Sequence, residues 1–405
     1  MEYSCTNNKI TNVLSTDKAI LAVFFISYIA GILLRYIEVH YFTTIAEWTS
    51  VLIGLVCMIK LKTINRPILS GLFMMVVVLF FYYEMGPSSF QTAEGGINAS
   101  TFQVVFRPSL TILSYYATMY YLTTKGVISR RTMGYFFAFV LVGSILTYFK
   151  SIATMSFIKG VDLEMGGFTN NTGYLFISLL PFLFLLNKRI VQLVLYLIIL
   201  FFVIYSSKRG AMVILFVFSF YFISVNYLKG RKFSNYLLVA ALLVIGYYIL
   251  MQIIGESEFI ENKIIATIED NSVNERDKIA ETLWTYFWGE NSKLYNYLFG
   301  HGVASTVKVA GNWAHNDWLE FLLTSGFFGL FLYATFFKQL FSVLKRNKCR
   351  EFYYYILFSC SMIWFIKSLF SMAFLISGSD FYPLVIIMGY ASGCLYNRKT
   401  NRIVL

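Results

Sequence analysis

The sequence predicts an all-α polytopic membrane protein with about twelve transmembrane helices. Three observations predict this class. Of the 405 residues, 58% are hydrophobic and only 13% are charged, whereas a soluble domain carries about 25% charged residues. Apolar runs long enough to cross a bilayer, about 20 residues each, recur along nearly the whole chain. One long polar segment interrupts these runs late in the sequence, which predicts a single large loop outside the membrane.

The predicted helices follow from the positions of the apolar runs. The first 18 residues are polar and lack the layout of a signal peptide, so we expect the first run to remain as a membrane helix. The predicted spans lie near residues 19–36, 43–59, 68–85, 106–122, 134–150, 171–187, 190–206, 210–228, 235–254, 315–337, 352–372 and 379–396.

Basic residues in alternate short loops predict the orientation of the chain. Because Lys and Arg are enriched in cytoplasmic loops, these loops and both termini are predicted to be cytoplasmic. The net charge of +12 therefore reflects topology, and it does not favour a nucleic-acid partner. The basic residues concerned are Lys60, Lys62, Arg66, Lys125, Arg130, Arg131, Lys188, Arg189, Lys229, Arg231, Lys232, Lys345, Arg346, Lys348, Arg350, Arg398, Lys399 and Arg402.

This orientation divides the chain into three parts. Residues 1–254 carry the first nine helices, residues 255–314 form the long extracytoplasmic loop, and residues 315–405 carry the last three helices. Within the loop, a capping-box pattern at 272–275 precedes apolar residues at helical spacing. We therefore predict an amphipathic helix near 273–288, lying on the membrane core with its apolar stripe inward.

One outer turn violates the charge rule. Lys208 and Arg209 are adjacent cations between two spans, and a cation placed toward the membrane costs about 2.5–3.5 kcal/mol on insertion scales. The helix that begins near Gly210 points its N-terminus outward, where free N–H groups favour an anion. Arg209 adds a fork that fits two phosphate oxygens, and Gly210 leaves room for a ligand or for another backbone. The turn thus predicts a phosphate or diphosphate site, with a snorkelling turn as the alternative.

Other cations lie at the outer ends of predicted spans. Arg107 precedes a proline and Lys367 lies inside an apolar run, so these two are the stronger binding candidates. Arg35 and Lys150 are the weaker ones, and for all four the alternative is a snorkelling or structural role. No acidic residue is firmly placed at the middle of a predicted span, which counts against an ion-coupled carrier.

His315 lies where the long loop enters the tenth predicted span. Only three histidines occur in the chain, and a group that titrates near neutral pH at a water–membrane boundary suits a base or a proton carrier. The alternative is that His315 only caps the helix. Asp317 and Glu320 are candidates to orient it, with a local cap or pair as the alternative for Glu320. For His301 a loop residue in contact with solvent is the favoured interpretation. The five cysteines show no metal-ligand spacing, so no metal site is expected.

Four motifs follow one another between the sixth and tenth spans. In this order they resemble the bacterial O-antigen polymerase and O-antigen ligase superfamily over about residues 165–335. One departure is that Lys208 stands between the serine and the arginine of the second motif. The motifs are the glycine–asparagine stretch 166–173, the Ser-Lys-Arg-Gly-Ala turn 207–211, Arg276 followed by Trp284 and the glycine-rich stretch 298–302, and His315-Asn316 with Leu319, Ser325-Gly326 and Gly329-Leu330.

The resemblance implies a glycosyltransferase of the bacterial inner membrane that uses an undecaprenyl-diphosphate-linked glycan at the periplasmic face, without metal, nucleotide sugar or cofactor. Carried over by position, Arg209 and Arg276 hold the donor diphosphate, and His315 is the general base. Asn171 and Asn316, within the matching motifs, become candidates for substrate binding beside Lys208, Gly210, Arg107 and Lys367. The pathway's chain-length regulator and flippase are expected partners, together with the lipid bilayer.

The activity within this superfamily has two interpretations. The first is an O-antigen polymerase that joins oligosaccharide repeat units, because the short His-Asn-Asp-Trp-Leu-Glu form at 315–320 is more typical of polymerases. The second is an O-antigen ligase that transfers the finished glycan to lipid A-core. A third interpretation from another class is a lipid-linked oligosaccharide flippase, which is expected to show internal repeats and a central cationic path.

Overall fold

The computed structural model describes residues 3–38, 40–61, 67–83, 89–91, 98–100, 102–159, 168–228, 275–290, 292–347, 351–375 and 379–401. The helices in these ranges are α1 (Tyr3–Tyr36), α2 (His40–Leu61), α3 (Pro67–Tyr83), α4 (Arg107–Thr124), α5 (Arg130–Lys159), α6 (Thr172–Leu179), α7 (Arg189–Tyr205), α8 (Arg209–Ile223), α9 (Glu275–Trp288), α10 (Leu294–Phe299), α11 (Ser305–Ala310), α12 (Asp317–Arg346), α13 (Glu351–Phe370) and α14 (Tyr382–Asn401).

Shorter elements extend or precede some of these helices. A π-helical turn (Phe102–Phe106) leads into α4, and another (Ser224–Leu228) follows α8. A 3₁₀ segment (Leu180–Leu185) continues α6, and a 3₁₀ turn (Ser379–Phe381) precedes α14. Two strands of three residues each, β1 (Ser89–Gln91) and β2 (Asn98–Ser100), pair antiparallel between α3 and α4.

The predicted all-α polytopic membrane architecture is confirmed. The predicted span 235–254 lies outside the described residues. A helix occupies each of the other predicted spans. Six of the described helices are long and apolar enough to cross a membrane, and three shorter apolar segments accompany them. The division at residues 254 and 314 and the cytoplasmic placement of the termini stay predictions.

Helix α4 forms the centre of the bundle, where it packs against α2, α3 and α14. All of its residues from Thr111 to Thr123 are buried. Because protein rather than lipid surrounds it, α4 carries hydroxyl side chains, and those of Thr111 and Thr118 donate to backbone carbonyls one turn earlier. Gly389 of α14 lets the two backbones approach closely, as small residues do between membrane helices.

Helix α12, which occupies the predicted span 315–337, is broken at Gly326. Gly326 has φ 63° and ψ −160°, outside helical values. A break of this kind frees carbonyl groups in the preceding turn. The backbone N–H groups of His301 and Gly302 fill this need by donating to Leu323 and Thr324 at 2.8 and 3.0 Å. The glycine-rich stretch after α10 therefore serves as a backbone partner for the broken helix.

The backbones at this break touch directly. A Cβ added at Gly326 would lie 2.5 Å from the carbonyl carbon of Leu298, and one at Gly300 would lie 2.4 Å from the Ser325 nitrogen. Both glycines also have positive φ, which side-chain-bearing residues rarely adopt. Glycine is thus required at both positions for steric and for conformational reasons.

The predicted amphipathic helix is confirmed as α9, although the capping-box residue Ser272 lies outside the described ranges. Leu283 and Phe287 on its apolar stripe are fully buried, with Ile279 partly buried beside them. They pack against Leu322 and Leu323, so the stripe rests on the first half of α12. The helix thereby brings its own first turn close to the start of α12.

We expect Gly326→Ala to destabilise the protein by about 1–3 kcal/mol or more, because a Cβ meets rigid backbone in a left-handed conformation. The matched control is Gly134→Ala in α5, where an added Cβ has no atom within 4 Å. That change should stabilise α5 by about 0.5–1 kcal/mol. Thermal unfolding of the purified variants in detergent measures the difference, and equal stability of the two would contradict the described break.

Candidate functional site

The ends of several helices bring positively charged side chains into one cluster. Lys208 precedes α8, Arg276 lies in the first turn of α9, and Lys367 lies in the last turn of α13. The positive charges of Arg276 and Lys208 act on the ring of His315, and those of Arg276 and Lys367 act on Lys208. The fold thus assembles these four residues, here named the cationic cluster, from distant parts of the sequence.

A tight turn presents Lys208 to the cluster. Ser206 and Ser207 are buried, and Ser207 adopts a left-handed backbone with φ 51°. The N–H of Asn170 donates to the Ser206 carbonyl at 2.8 Å, which fixes the turn against the segment before α6. Lys208 then donates from Nζ to Asn171 Oδ1 at 2.6 Å. The asparagine segment and the Lys-Arg turn, two separate motifs in the sequence, form one structural unit.

The glycine after this turn accommodates a tyrosine. A Cβ added at Gly210 would lie 2.2 Å from the hydroxyl oxygen of Tyr174 in α6. We expected a ligand or another backbone next to Gly210, but the Tyr174 hydroxyl occupies this position. No side chain caps the N-terminus of α8. Its first backbone N–H groups thus remain a favourable position for an anion.

Lys367 is held in the interior by aromatic rings. Its side chain is only 3% exposed, and its Nζ lies 4.8 Å from the ring centroid of Tyr174 and 4.5 Å from that of Phe381. Asp380 Oδ2 lies 3.5 Å from the same Nζ. Because ring faces attract cations, two rings and one carboxylate keep this ammonium group of the cluster buried.

His315 is carried on a strained turn immediately before α12. Its backbone is left-handed, with φ 52°. The preceding N–H, that of Ala314, donates to Glu320 Oε2 at 3.1 Å, and Glu320 Oε1 accepts from the Thr306 hydroxyl at 2.9 Å. Glu320 therefore orients His315 through the backbone and does not bond to its ring. Among the residues that the structure describes, the His315 ring has no hydrogen-bond partner.

Asn316 fixes the other side of this turn. Its Oδ1 accepts the N–H groups of Trp318 and Leu319 at 2.8 and 3.2 Å, which caps α12. Its Nδ2 donates to the Leu369 carbonyl at 3.0 Å, and Trp318 Nε1 donates to Ser368 Oγ at 3.0 Å. The polar groups of Asn316, which we expected to bind substrate, thus join the start of α12 to the end of α13.

Asp317 strengthens the same junction from inside the protein. It is fully buried, and its Oδ2 accepts the Tyr333 hydroxyl at 2.8 Å and the N–H groups of Ala373 and Phe374 at 3.0 and 3.1 Å. Among the described residues, Asp317 has no hydrogen bond to the His315 ring. The segment after α13 is therefore fixed relative to α12, and the cationic cluster lies along this junction.

The surroundings of His315 favour its neutral form. Partial burial lowers the pKa of His315 below its ordinary value, and the positive charges of Arg276 and Lys208 lower it further. Burial likewise lowers the pKa of Lys208, and Arg276 and Lys367 add to that effect. A neutral imidazole can accept a proton, so the site holds a potential base beside a concentration of positive charge.

The two predicted diphosphate arginines occupy different positions. Arg276 donates from Nη1 to the Phe370 carbonyl at 3.0 Å, which holds α9 against the end of α13 within the cluster. Arg209 is exposed at the first position of α8, and the described residues offer it no hydrogen bond or ion pair. Lys208, predicted as the accessory group, therefore points into the cluster, while Arg209 stands at its edge.

Arg107 belongs to a different group of charges. Its Nε lies 3.6 Å from Glu47 Oε2, and Arg35 Nη2 lies 2.5 Å from Glu47 Oε1. Lys150 pairs with Glu38 at 3.0 Å. Among the described residues Arg107 has no hydrogen bond or ion pair with the cationic cluster. Arg107, Arg35 and Lys150 are thus paired with acidic side chains.

His301 has a packing role. Its Nε2 lies 3.0 Å from Ser292 Oγ, and its ring centroid lies 4.9 Å from that of Tyr286. Its backbone supports the break in α12, as described above. His301 is only partly buried, as expected for a loop residue in contact with solvent, and these contacts fix its position in the loop.

Sequence reasoning did not identify three residues of this region. Tyr174 underlies both Lys208 and Lys367, Asp380 faces Lys367, and Glu47 joins two arginines. Asp380 and Glu47 are isolated charges beside or within apolar runs. Because a charge within the membrane needs a partner, these positions could have indicated both residues. No comparable signal marks Tyr174, because the chain contains 30 tyrosines.

Comparison with known proteins is consistent with this geometry. Residues 174–334 match the family described as O-Antigen ligase. The matched range begins at Tyr174 and contains Lys208, Arg209, Arg276 and His315, so it covers most of the cationic cluster. No curated protein matches the chain. The match over residues 174–334 thus supports the resemblance of this chain to the O-antigen ligase and polymerase superfamily.

Proposed function

We propose that this protein is an O-antigen polymerase, a glycosyltransferase that joins undecaprenyl-diphosphate-linked oligosaccharide repeat units into polysaccharide at the periplasmic face of the inner membrane. One observation carries the proposal. The positive charges of Arg276 and Lys208 act on His315, and that of Lys367 acts on Lys208. Among the described residues the His315 ring has no hydrogen-bond partner, so it can accept a proton.

The cluster has the chemistry of a diphosphate site. A diphosphate carries several negative charges, and Lys208, Arg276 and Lys367 supply positive charge from three different helix ends. The uncapped N-terminus of α8 adds backbone N–H donors. Arg209, exposed beside Lys208, is available to fork two phosphate oxygens once the donor has bound. Fixed cations supply the charge that a metal ion supplies in other transferases, so the proposed reaction is metal-independent.

The proposed reaction transfers the donor glycan to an acceptor sugar hydroxyl. An acceptor sugar hydroxyl attacks the anomeric carbon of the donor glycan, a new C–O glycosidic bond forms, and the bond from that carbon to the diphosphate oxygen breaks. The undecaprenyl diphosphate leaves with the bonding electron pair, and His315 takes the hydroxyl proton. Cations fixed where negative charge grows stabilise the transition state more than the ground state.

An O-antigen ligase is the second candidate, because the matching family is described as O-Antigen ligase. The ligase uses the same donor chemistry but transfers the finished glycan to lipid A-core. Deleting the gene and profiling the cell-surface glycan separates the two. We expect single repeat units on the core after deletion, since polymerisation is lost while transfer to the core continues. Bare core with polymer left on the lipid carrier would instead assign the ligase activity.

Arg209→Lys should lose most of the transfer activity although the charge is kept, because an ammonium group cannot replace the guanidinium fork on two phosphate oxygens. The matched control is Arg131→Lys at the first turn of α5, where another exposed arginine contacts Tyr135. Transfer by the purified proteins from a lipid-linked donor measures the effect. Wild-type turnover by Arg209→Lys would return that arginine to a snorkelling role.

His315→Asn should reduce the transfer rate by about 10²–10⁴-fold, the usual contribution of a general base. Asparagine tolerates the left-handed backbone of this position, so the turn should survive. In the wild type, kcat/KM should rise with pH through the pKa of His315, which lies below its ordinary value, and should level off above that pKa. Bound diphosphate opposes the lowering by the cations, so the acid limb of kcat should lie at higher pH than that of kcat/KM.

The control for this experiment is His301→Ala. His301 packs on Tyr286 and Ser292, so its loss should weaken the loop while the pH profile keeps its acid limb. Donor binding should remain near the wild-type level in His315→Asn, because the cations are intact. If His315→Asn keeps wild-type turnover and His301→Ala is inactive, the assignment of the base is wrong.

A further inference from the structure

A cavity lies close to the cationic cluster, on the far side of the residues that surround Lys367. A cavity of about 510 Å³ opens among α1, α2 and α5, within the size range of small-ligand sites. Leu175 and Tyr382 line it, while their chain neighbours Tyr174 and Phe381 hold the ammonium group of Lys367. One layer of side chains therefore separates the cavity from the cationic cluster.

The charges of this cavity are already paired. Arg35 lies 2.5 Å from Glu47, Lys150 lies 3.0 Å from Glu38, and all four residues line the cavity. An anionic ligand entering here would meet a carboxylate beside each cation. These carboxylates would repel an anion, but they would not repel a ligand with hydroxyl groups. Each hydroxyl both donates and accepts, so it can bridge a cation and its neighbouring carboxylate.

The remaining lining suits the rings of a sugar. Tyr28, Tyr115 and Tyr382 supply aromatic surface, and Ser144 and Thr147 supply further hydroxyl groups. The apolar C–H faces of a pyranose ring pack on such surfaces while its hydroxyls reach the polar groups. A hydrocarbon chain fits less well, because it would displace water from the charged pairs without offering any hydrogen bond.

We propose that this cavity binds an uncharged oligosaccharide, namely sugar units of the glycan substrate that lie a few residues from the reacting bond. The proposal rests on the proposed function, since it places these sugars beside the transfer site. It assigns the Arg35–Glu47 and Lys150–Glu38 pairs to recognition of hydroxyl groups. The cationic cluster binds the diphosphate, so one site binds the charged part of the substrate and the other binds its neutral part.

Two glycines allow the cavity to be filled without a clash. A Cβ added at Gly143 would lie 3.5 Å from Ile32 Cγ2, and one at Gly31 would lie 4.0 Å from Ala46 Cβ, both ordinary contacts. Gly143→Leu and Gly31→Leu therefore occlude the cavity from α5 and from α1, respectively. Gly134→Leu is the matched control, because Gly134 lies on α5 outside the cavity lining and has no atom within 4 Å of its added Cβ.

The probe is the oligosaccharide repeat unit released from the host's own glycan by mild acid, titrated into purified full-length protein in nanodiscs. Ligand-observed nuclear magnetic resonance gives the dissociation constant. We expect Gly143→Leu and Gly31→Leu each to weaken saccharide binding by about tenfold or more, the loss of roughly one charge-assisted hydrogen bond. Gly134→Leu should bind like the wild type.

The outcomes separate this proposal from the proposed function. Unchanged saccharide affinity in both filled variants would overturn the cavity site, even if transfer from the lipid-linked donor proceeds. Binding of a short-chain polyprenyl phosphate that is sensitive to Gly143→Leu, without saccharide binding, would assign the cavity to a lipid and also overturn it. Saccharide binding that depends on Gly143 in a protein without transferase activity would support the cavity and refute the proposed function.

Discussion

The junction between the start of α12 and the end of α13 is the constraint on which the site depends. Asp317 receives three hydrogen bonds through one carboxylate oxygen, two of them from the backbone of the segment after α13. Asn316 joins the same two elements at the Leu369 carbonyl, and Arg276 joins α9 to the next carbonyl, that of Phe370. His315, the proposed base, and Lys367 lie on opposite sides of this junction. Its hydrogen bonds therefore fix the distance between these two residues.

Holding several cations close together is unfavourable without a counter-charge, and the structure offsets this cost in two ways. The rings of Tyr174 and Phe381 and the carboxylate of Asp380 stabilise Lys367, and Asn171 accepts a hydrogen bond from Lys208. Burial lowers the pKa of Lys208, and the remaining repulsion from Arg276 and Lys367 lowers it further. A diphosphate would relieve that repulsion, so the cationic cluster favours an anion, and the same positive charges favour the neutral form of His315.

Local sequence pattern predicted the helices and the amphipathic α9, because hydropathy and helical spacing depend on residues close in the chain. It also indicated the Lys208–Arg209 turn, since adjacent cations beside apolar runs are costly wherever the chain folds. It could not predict the break at Gly326, which depends on the backbone at Gly300, far away in sequence. Nor could it show that Asn316 serves as a helix cap and that Lys208 rather than Arg209 faces the cluster, because both depend on long-range packing.

The central claim is that the diphosphate of the substrate binds at the cationic cluster and not among the paired charges of the neighbouring cavity. A cryo-electron microscopy structure of the protein with undecaprenyl diphosphate in nanodiscs tests it most directly. We expect phosphate density in contact with Arg276 and Lys208, against the N-terminus of α8, and within reach of the His315 side chain. Phosphate density between Arg35 and Lys150, with the cationic cluster unoccupied, would contradict it.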